Sequence, residues 1–169
     1  MMIEAPHRAT DVESLFRLLE VALGRFLLGM VGELELAEDL LQETFLTACR
    51  WPERLASASS AEAWLFGVAR HQALSALRRR YRLRAALTRA APRDRDTYEL
   101  PAAARGAIEL VAPLAPEDRA LVLLRYCYGF EAAELAEITN RTPAAVRKRL
   151  ERCRASLAAH LTASGGGGV

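Results

Sequence analysis

Between Val12 and Val31 apolar side chains return at helical spacing: Val12, Leu15, Phe16, Leu19, Val21, Leu23, Phe26, Leu27, Met30 and Val31. A helix gathers such a series onto one side, where it must be buried against another element. Thr10 or Asp11 offers the N-cap, Gly32 the stop, and Gly24 a place for a bend. A second helix is predicted from about Glu35 through LAEDLLQETFLTACR, ending before Pro52. The Ser- and Ala-rich PERLASASSA that follows reads as a loop. A third helix runs from about Ala61 through EAWLFGVARHQALSALRRRYR, apolar at Trp64, Leu65, Val68, Leu74 and Leu77. Three such helices make a small bundle.

From Ala85 to Pro101 the periodicity fades, and APRDRDTYELP is polar between prolines. These 17 residues read as a linker able to span at most ~60 Å, beyond the ~34–36 Å of one DNA turn. Four more helices are expected at about 102–112, 116–128, 130–138 and 143–161, divided by Pro113 and Pro116, by Gly129, and by Asn140 in a left-handed conformation. The fold class is therefore all-α: a three- to four-helix bundle in 1–84, a flexible linker in 85–101, a four-helix domain with a helix-turn-helix in 102–161, and a disordered Gly-rich tail in 162–169.

Ala, Leu, Glu and Arg dominate the composition, in keeping with helices. No apolar run reaches the ~18 residues of a membrane span and no charged-then-apolar leader opens the chain, so a cytoplasmic protein without membrane insertion is expected. Cys49, Cys127 and Cys153 form no CxxC or Cys/His cluster and read as buried small hydrophobes. His7, His71 and His160 have no metal-ligand spacing. Without a phosphate loop or nucleophile elbow, no cofactor, metal or catalytic role is expected.

The net charge of +2 hides a division. Residues 1–64 carry 5 Arg against 11 Asp and Glu, residues 65–98 carry 9 Arg against 2 Asp, and 141–154 carries six basic residues against Glu151. Two separated basic patches suit contact with a polyanion at two places. On a wheel of the final helix, Val146, Leu150, Cys153 and Leu157 share one sector and face a small core with Leu135 and Ile138. Ala144, Lys148, Glu151 and Arg152 lie opposite, flanked by Arg147, Arg149 and Arg154. Thr142 before Pro143 is a fitting N-cap. With the short preceding helix and tight break, these are helix-turn-helix proportions. The outward residues of the second helix of such a motif enter the major groove. There Lys148 and Arg152 suit guanine, Glu151 suits cytosine, and Ala144 permits close approach. Arg147, Arg149 and Arg154 suit phosphates.

In AEDLLQETFL, residues 37–46, Asp39, Gln42 and Glu43 share one exposed face, while Leu40 or Leu41, Phe45 and Leu46 turn inward. Together with AWLFGVARHQALSALRRR and LAPEDRALVLLRYCYGFEAAELAEITNRTPAAVRKRLERCR, this segment resembles the bacterial RNA polymerase sigma factors of the extracytoplasmic-function (ECF) group, over about 11–84 and 102–161. The resemblance implies a sigma factor that initiates transcription at −10/−35 promoters. Asp39, Gln42 and Glu43 match positions that dock on the β′ clamp of core RNA polymerase. The loop 52–61 and the third helix match the part that opens the −10 element, with Arg70, His71, Arg78, Arg79 and Arg80 as its DNA-facing residues; Trp64 reads first as core packing of the third helix, with an unstacked −10 base leaning on its edge as the alternative. The helix-turn-helix, Arg141 included, would read −35 promoter DNA while its domain rests on the β flap, and an anti-sigma factor would be a further partner. The sequence departs from the family's pattern at His71, where asparagine is frequent, at Asn140 and Arg141, where glycine and a small apolar residue are usual, and at Ser75, where an acidic residue is frequent. The alternative reading is a freestanding helix-turn-helix regulator that binds duplex DNA without polymerase; a protein-only adaptor would leave both arginine clusters idle.

Overall fold

The computed structural model describes residues 12–87 and 102–165. Among them are eight helices and no strand: α1 Val12–Val31, α2 Leu34–Arg50, α3 Pro52–Ser57, α4 Ala61–Ala86, α5 Ala102–Val111, α6 Pro116–Tyr126, α7 Ala132–Thr139 and α8 Pro143–Gly165. The all-α expectation and most of its breaks hold. Gly32 ends α1 at φ +74°, Gly129 takes the same φ before α7, and Asn140 is left-handed at φ 51°. Of the expected linker 85–101, residues 85–86 complete α4 and 88–101 lie outside the described residues.

Four expectations need correction. The segment 52–61 is not all loop, because Pro52 opens a short helix with Glu53 in its first turn and Leu55 buried beneath it. Proline at the first position gives up no intrahelical hydrogen bond and its φ suits the helix. Of the expected tail 162–169, residues 162–165 continue α8, and 166–169 lie outside the described residues. The Thr162 hydroxyl helps by donating towards the carbonyls of Ala158 (3.2 Å) and Ala159 (2.9 Å). Of the three cysteines only Cys153 is buried, while Cys49 and Cys127 are exposed. Finally, Leu46 points outward at 55% exposure, one turn beyond Gln42 and Glu43 rather than towards the core.

Several helix ends are secured locally. Ser60 caps α4 by accepting from the Ala63 amide at 3.1 Å. Glu131 and Glu134 form a capping box at the start of α7, the Glu131 amide donating to Glu134 Oε2 at 2.7 Å. Each device satisfies amide groups that the helix itself leaves without partners.

The two sets of helices share one core. Phe26 of α1 and Phe66 of α4 meet edge to face at 5.5 Å between ring centroids. Phe66 also meets Tyr128 at 4.8 Å and Phe130 at 5.2 Å. Burial raises the Tyr128 pKa above the ordinary phenol range, so its hydroxyl stays neutral. Gly29 lets α1 approach α6, since a Cβ there would stand 3.0 Å from Leu123 Cδ1. Arg119 of α6 then ties the ends together: its guanidinium donates to Met30 O at 2.6 Å and to the carbonyls of Val111, Ala112 and Leu114 at 3.1–3.3 Å. One cation thus serves carbonyls at the C-terminal ends of α1 and α5, where helix dipoles favour positive charge.

Candidate nucleic-acid and polymerase interface

Three faces gather the residues singled out from sequence. The first is on α2. Asp39, Gln42 and Glu43 are all exposed, and Leu46 extends their row with an apolar side chain. The opposite side of the helix is pinned. Phe45 is buried against Phe16, ring centroids 4.5 Å apart, and the buried Thr44 hydroxyl donates towards Leu40 O (2.7 Å) and Gln72 Oε1 (2.8 Å). An acidic and amide-bearing face with a leucine at its end suits a protein partner, because exposed leucine contributes only once it is covered.

The second face is a cavity of about 560 Å³ at the start of α4. Thr47, Ser59, Ser60, Trp64, His71 and Gln72 line it, together with Glu137 and Ile138 of α7. Gln72 is held by its neighbours, since its Nε2 donates to Thr47 Oγ1 at 3.2 Å while its Oε1 accepts from Thr44. Trp64 is half-buried and His71 exposed, both on the cavity wall. Arg70 is not among the lining residues. It is half-buried, faces Glu117, Arg141 and Arg149, and its Nε is a buried donor without a hydrogen-bond partner. Burial lowers the pKa of its guanidinium, against the pull of Glu117. Further along α4, Arg78 and Arg79 are exposed, while Arg80 pairs with Glu33. Ser75 has a local use after all, accepting from Arg78 Nη2 at 3.2 Å.

The third face is α8. Asn140 makes the left-handed turn, Arg141 N donates to Ala136 O at 2.9 Å, and Thr142 Oγ1 accepts from the Ala145 amide at 3.2 Å. Val146, Leu150 and Cys153 are buried and Leu157 is half-buried, as the wheel predicts. Burial, with Asp118 next in effect, pushes the Cys153 thiol up to about 11, which suits a packing residue rather than a reactive one. Arg141, Ala144, Arg147, Lys148, Glu151, Arg152 and Arg154 are exposed. Arg149 differs: it is half-buried and ion-paired to Asp118 of α6. Its charge is engaged in holding α8 against α6.

Sequence reasoning turns Leu46 the wrong way and does not single out Ser59, Gln72 or Glu137. Leu46 could have been found, because the spacing 39, 42, 43, 46 is itself helical. The other three take their places only through contacts distant in sequence. Among the described residues no group of three or more His, Cys, Asp or Glu could hold a metal ion, and no helix is long and apolar enough to cross a membrane.

Residues 15–83 match the Sigma-70 region 2 family and residues 105–157 the Sigma-70, region 4 family. RNA polymerase sigma factor CarQ of Myxococcus xanthus is 33% identical over 135 residues, 75% of each protein. The ECF RNA polymerase sigma factor SigC of Mycobacterium tuberculosis is 34% identical over 129 residues, 73% of this chain and 69% of that one. In fold, the chain is similar to the sigma factor RpoE of Bartonella quintana, solved with the anti-sigma factor NepR, at a TM-score of 0.72 and 22% identity over 90% of this chain and 98% of that one. It is likewise similar to CnrH, solved with the cytosolic domain of CnrY, at 0.69 and 22% identity over 92% of both chains.

Proposed function

Because the chain belongs to the ECF sigma factors of the sigma-70 family, we propose that its three faces divide the work of promoter-specific initiation. A sigma factor gives core RNA polymerase its promoter specificity, and nucleotide addition is left to the core enzyme, so this chain has no catalytic step of its own. Asp39, Gln42 and Glu43, with Leu46, dock on the β′ clamp. The cavity beside Ser59, Trp64 and His71 receives an extruded −10 base, and the exposed Arg78 and Arg79 hold the adjacent phosphates. Flipping a base costs a few kcal/mol of stacking and pairing, which a shaped pocket offsets. The outward side of α8 reads the −35 element, and its domain rests on the β flap. Arg149 acts there by fixing the pitch of α8 through Asp118, whereas Arg141, Arg147 and Arg154 meet phosphates directly. The whole operates in the cytoplasm, where an anti-sigma factor withholds it from polymerase.

The observation that carries this reading is the pairing of an exposed acidic face on α2 with an exposed basic face on α8 in one small chain. The α8 assignment is tested by Lys148→Ala and Arg152→Ala in promoter-directed transcription. A lost base contact is worth ~1–3 kcal/mol, so each variant should lose roughly 5- to 100-fold in −35 recognition. Binding to core polymerase should stay unchanged. Undiminished selectivity between a promoter and its −35 mutant would remove these residues from base reading.

A further inference from the structure

Trp51 stands 41% exposed at the turn between α2 and α3, and neither the buried core nor the three faces accounts for it. We propose that Trp51 and Arg54 form a stacking platform for an unpaired nucleotide beside the one that enters the −10 cavity, a second point of hold on the opened strand. The proposal rests on the −10 reading of the cavity given above.

The turn holds the ring in a fixed place. The Trp51 amide donates to Thr47 O at 3.0 Å and closes α2, while the Trp51 carbonyl accepts from the amides of Arg54 (3.1 Å) and Leu55 (3.3 Å) and opens α3. Both backbone polar groups are thereby used, and Pro52 restricts the residue before it. Leu55, 2% exposed, anchors the short helix from beneath. Arg54 lays its guanidinium over the indole, 4.7 Å from the ring centroid, where the charge is drawn to the face of the ring. Among the described residues no carboxylate pairs with Arg54, so its charge remains available to a phosphate. An aromatic ring with a cation beside it is the means by which single strands are held. Bases stack on the ring whatever their identity, and the positive charge follows the backbone.

Helical spacing places Trp51 with the cavity and not with the docking face. On α2, Leu40, Thr44, Thr47 and Trp51 recur at i, i+4, i+7 and i+11, one row of the helix. Thr44 and Thr47 both bond Gln72 of α4, and Thr47 and Gln72 line the cavity. Trp51 continues that row one turn past Thr47. The row of Asp39, Gln42, Glu43 and Leu46 runs about a third of a turn round the helix from it. Charge divides in the same way. The group over the ring is a guanidinium, which suits a phosphodiester, whereas the docking row is acidic. Glu53, also exposed, sits in the first turn of α3, where the helix dipole favours a negative charge. Since stacking tolerates any base, the platform helps to hold the strand open, and sequence choice stays with the cavity.

Loss of an aromatic stack costs roughly 5- to 150-fold in single-strand affinity. The test follows the polarisation of a fluorescein-labelled pool of short, randomised single-stranded DNA titrated with the full-length protein assembled on core RNA polymerase, with core alone as the blank. The wild type is compared with Trp51→Ala, Trp51→Phe, Arg54→Ala and Tyr126→Ala, the last removing an exposed aromatic elsewhere. Affinity for core and the unfolding midpoint are measured for each. The expected result is a loss in that range for Trp51→Ala and of about 2- to 5-fold for Arg54→Ala. Trp51→Phe should keep most of the capture and Tyr126→Ala all of it, with affinity for core unchanged throughout. Capture by Trp51→Ala equal to that of the wild type would overturn the platform and leave the −10 reading standing. A loss of core affinity that matches the loss of capture would move Trp51 to the docking interface and also overturn it. Trp51→Phe as weak as Trp51→Ala would do the same, because a ring able to stack would then make no difference. Undiminished capture by Arg54→Ala would overturn it too, and this variant, which keeps the ring, decides the matter where Trp51→Ala lowers the midpoint. No capture by any form would remove the −10 reading and the platform with it.

Discussion

Phe66→Ala is expected to lower the free energy of unfolding by ~3–5 kcal/mol, the usual loss when a buried phenylalanine is cut to a methyl group. Phe66 has no exposed surface, and its ring touches Phe26 on one side and Tyr128 and Phe130 on the other. Truncation opens a void where both halves meet and strips each of its principal aromatic partner. Against a typical ~5–15 kcal/mol for a whole domain, that loss is large. Urea unfolding followed by circular dichroism would show it as a lower midpoint. A midpoint equal to that of the wild type would mean that the halves do not share this core in solution.

The second large effect concerns docking. The Asp39/Gln42/Glu43→Ala triple variant should bind core RNA polymerase at least ~100-fold more weakly, a loss of ~2.7 kcal/mol. Its unfolding midpoint should be retained, because all three side chains are exposed. Their removal leaves undisturbed the buried face held by Thr44 and Phe45. Leu46→Ala should weaken docking further, since a leucine desolvated at the centre of an interface can count among its few dominant residues. Surface plasmon resonance with immobilised core enzyme separates these cases. Wild-type affinity in the triple variant would exclude α2 as the docking face.

Helix breaks were legible because their signals are local. Gly32, Gly129 and Asn140 have positive φ where the sequence asks for it, and Thr142 before Pro143 caps α8 through a bond three residues long. The buried stripe Val146, Leu150, Cys153 followed from helical spacing alone. Local signals misled where they were weak or double-edged. The Ser and Ala of 52–61 suggested a loop, yet one buried leucine and a proline at the first position made a short helix of its start. The chemistry of Leu46 points it inward, whereas its spacing puts it with Gln42 and Glu43, where it lies exposed. Arg149 looked like its neighbours, and only Asp118, 31 positions away, distinguishes it from them.

What sequence did not offer was the junction between the halves. It is built from pairs such as Arg119 with Met30 O, separated by 89 positions, and Ser59 with Glu137, separated by 78. Each member reads locally as something ordinary: a surface arginine, a loop serine, an acidic residue on an amphipathic helix. Their meaning lies in the packing of α6 and α7 on α1 and α4, which no periodicity encodes. The polar faces of α2 and α8 were easier, because an exposed stripe is the complement of a buried one and the buried one is periodic.

The central claim is that this chain acts through RNA polymerase and not on duplex DNA alone. Its most direct test is transcription of sheared genomic DNA from the source organism by core RNA polymerase, with and without the purified protein, followed by mapping of RNA 5′ ends. The predicted result is a small set of protein-dependent start sites whose upstream sequences share two elements at fixed spacing. Start sites unchanged by the protein, with tight binding of the same DNA by a symmetric dimer lacking polymerase, would contradict it.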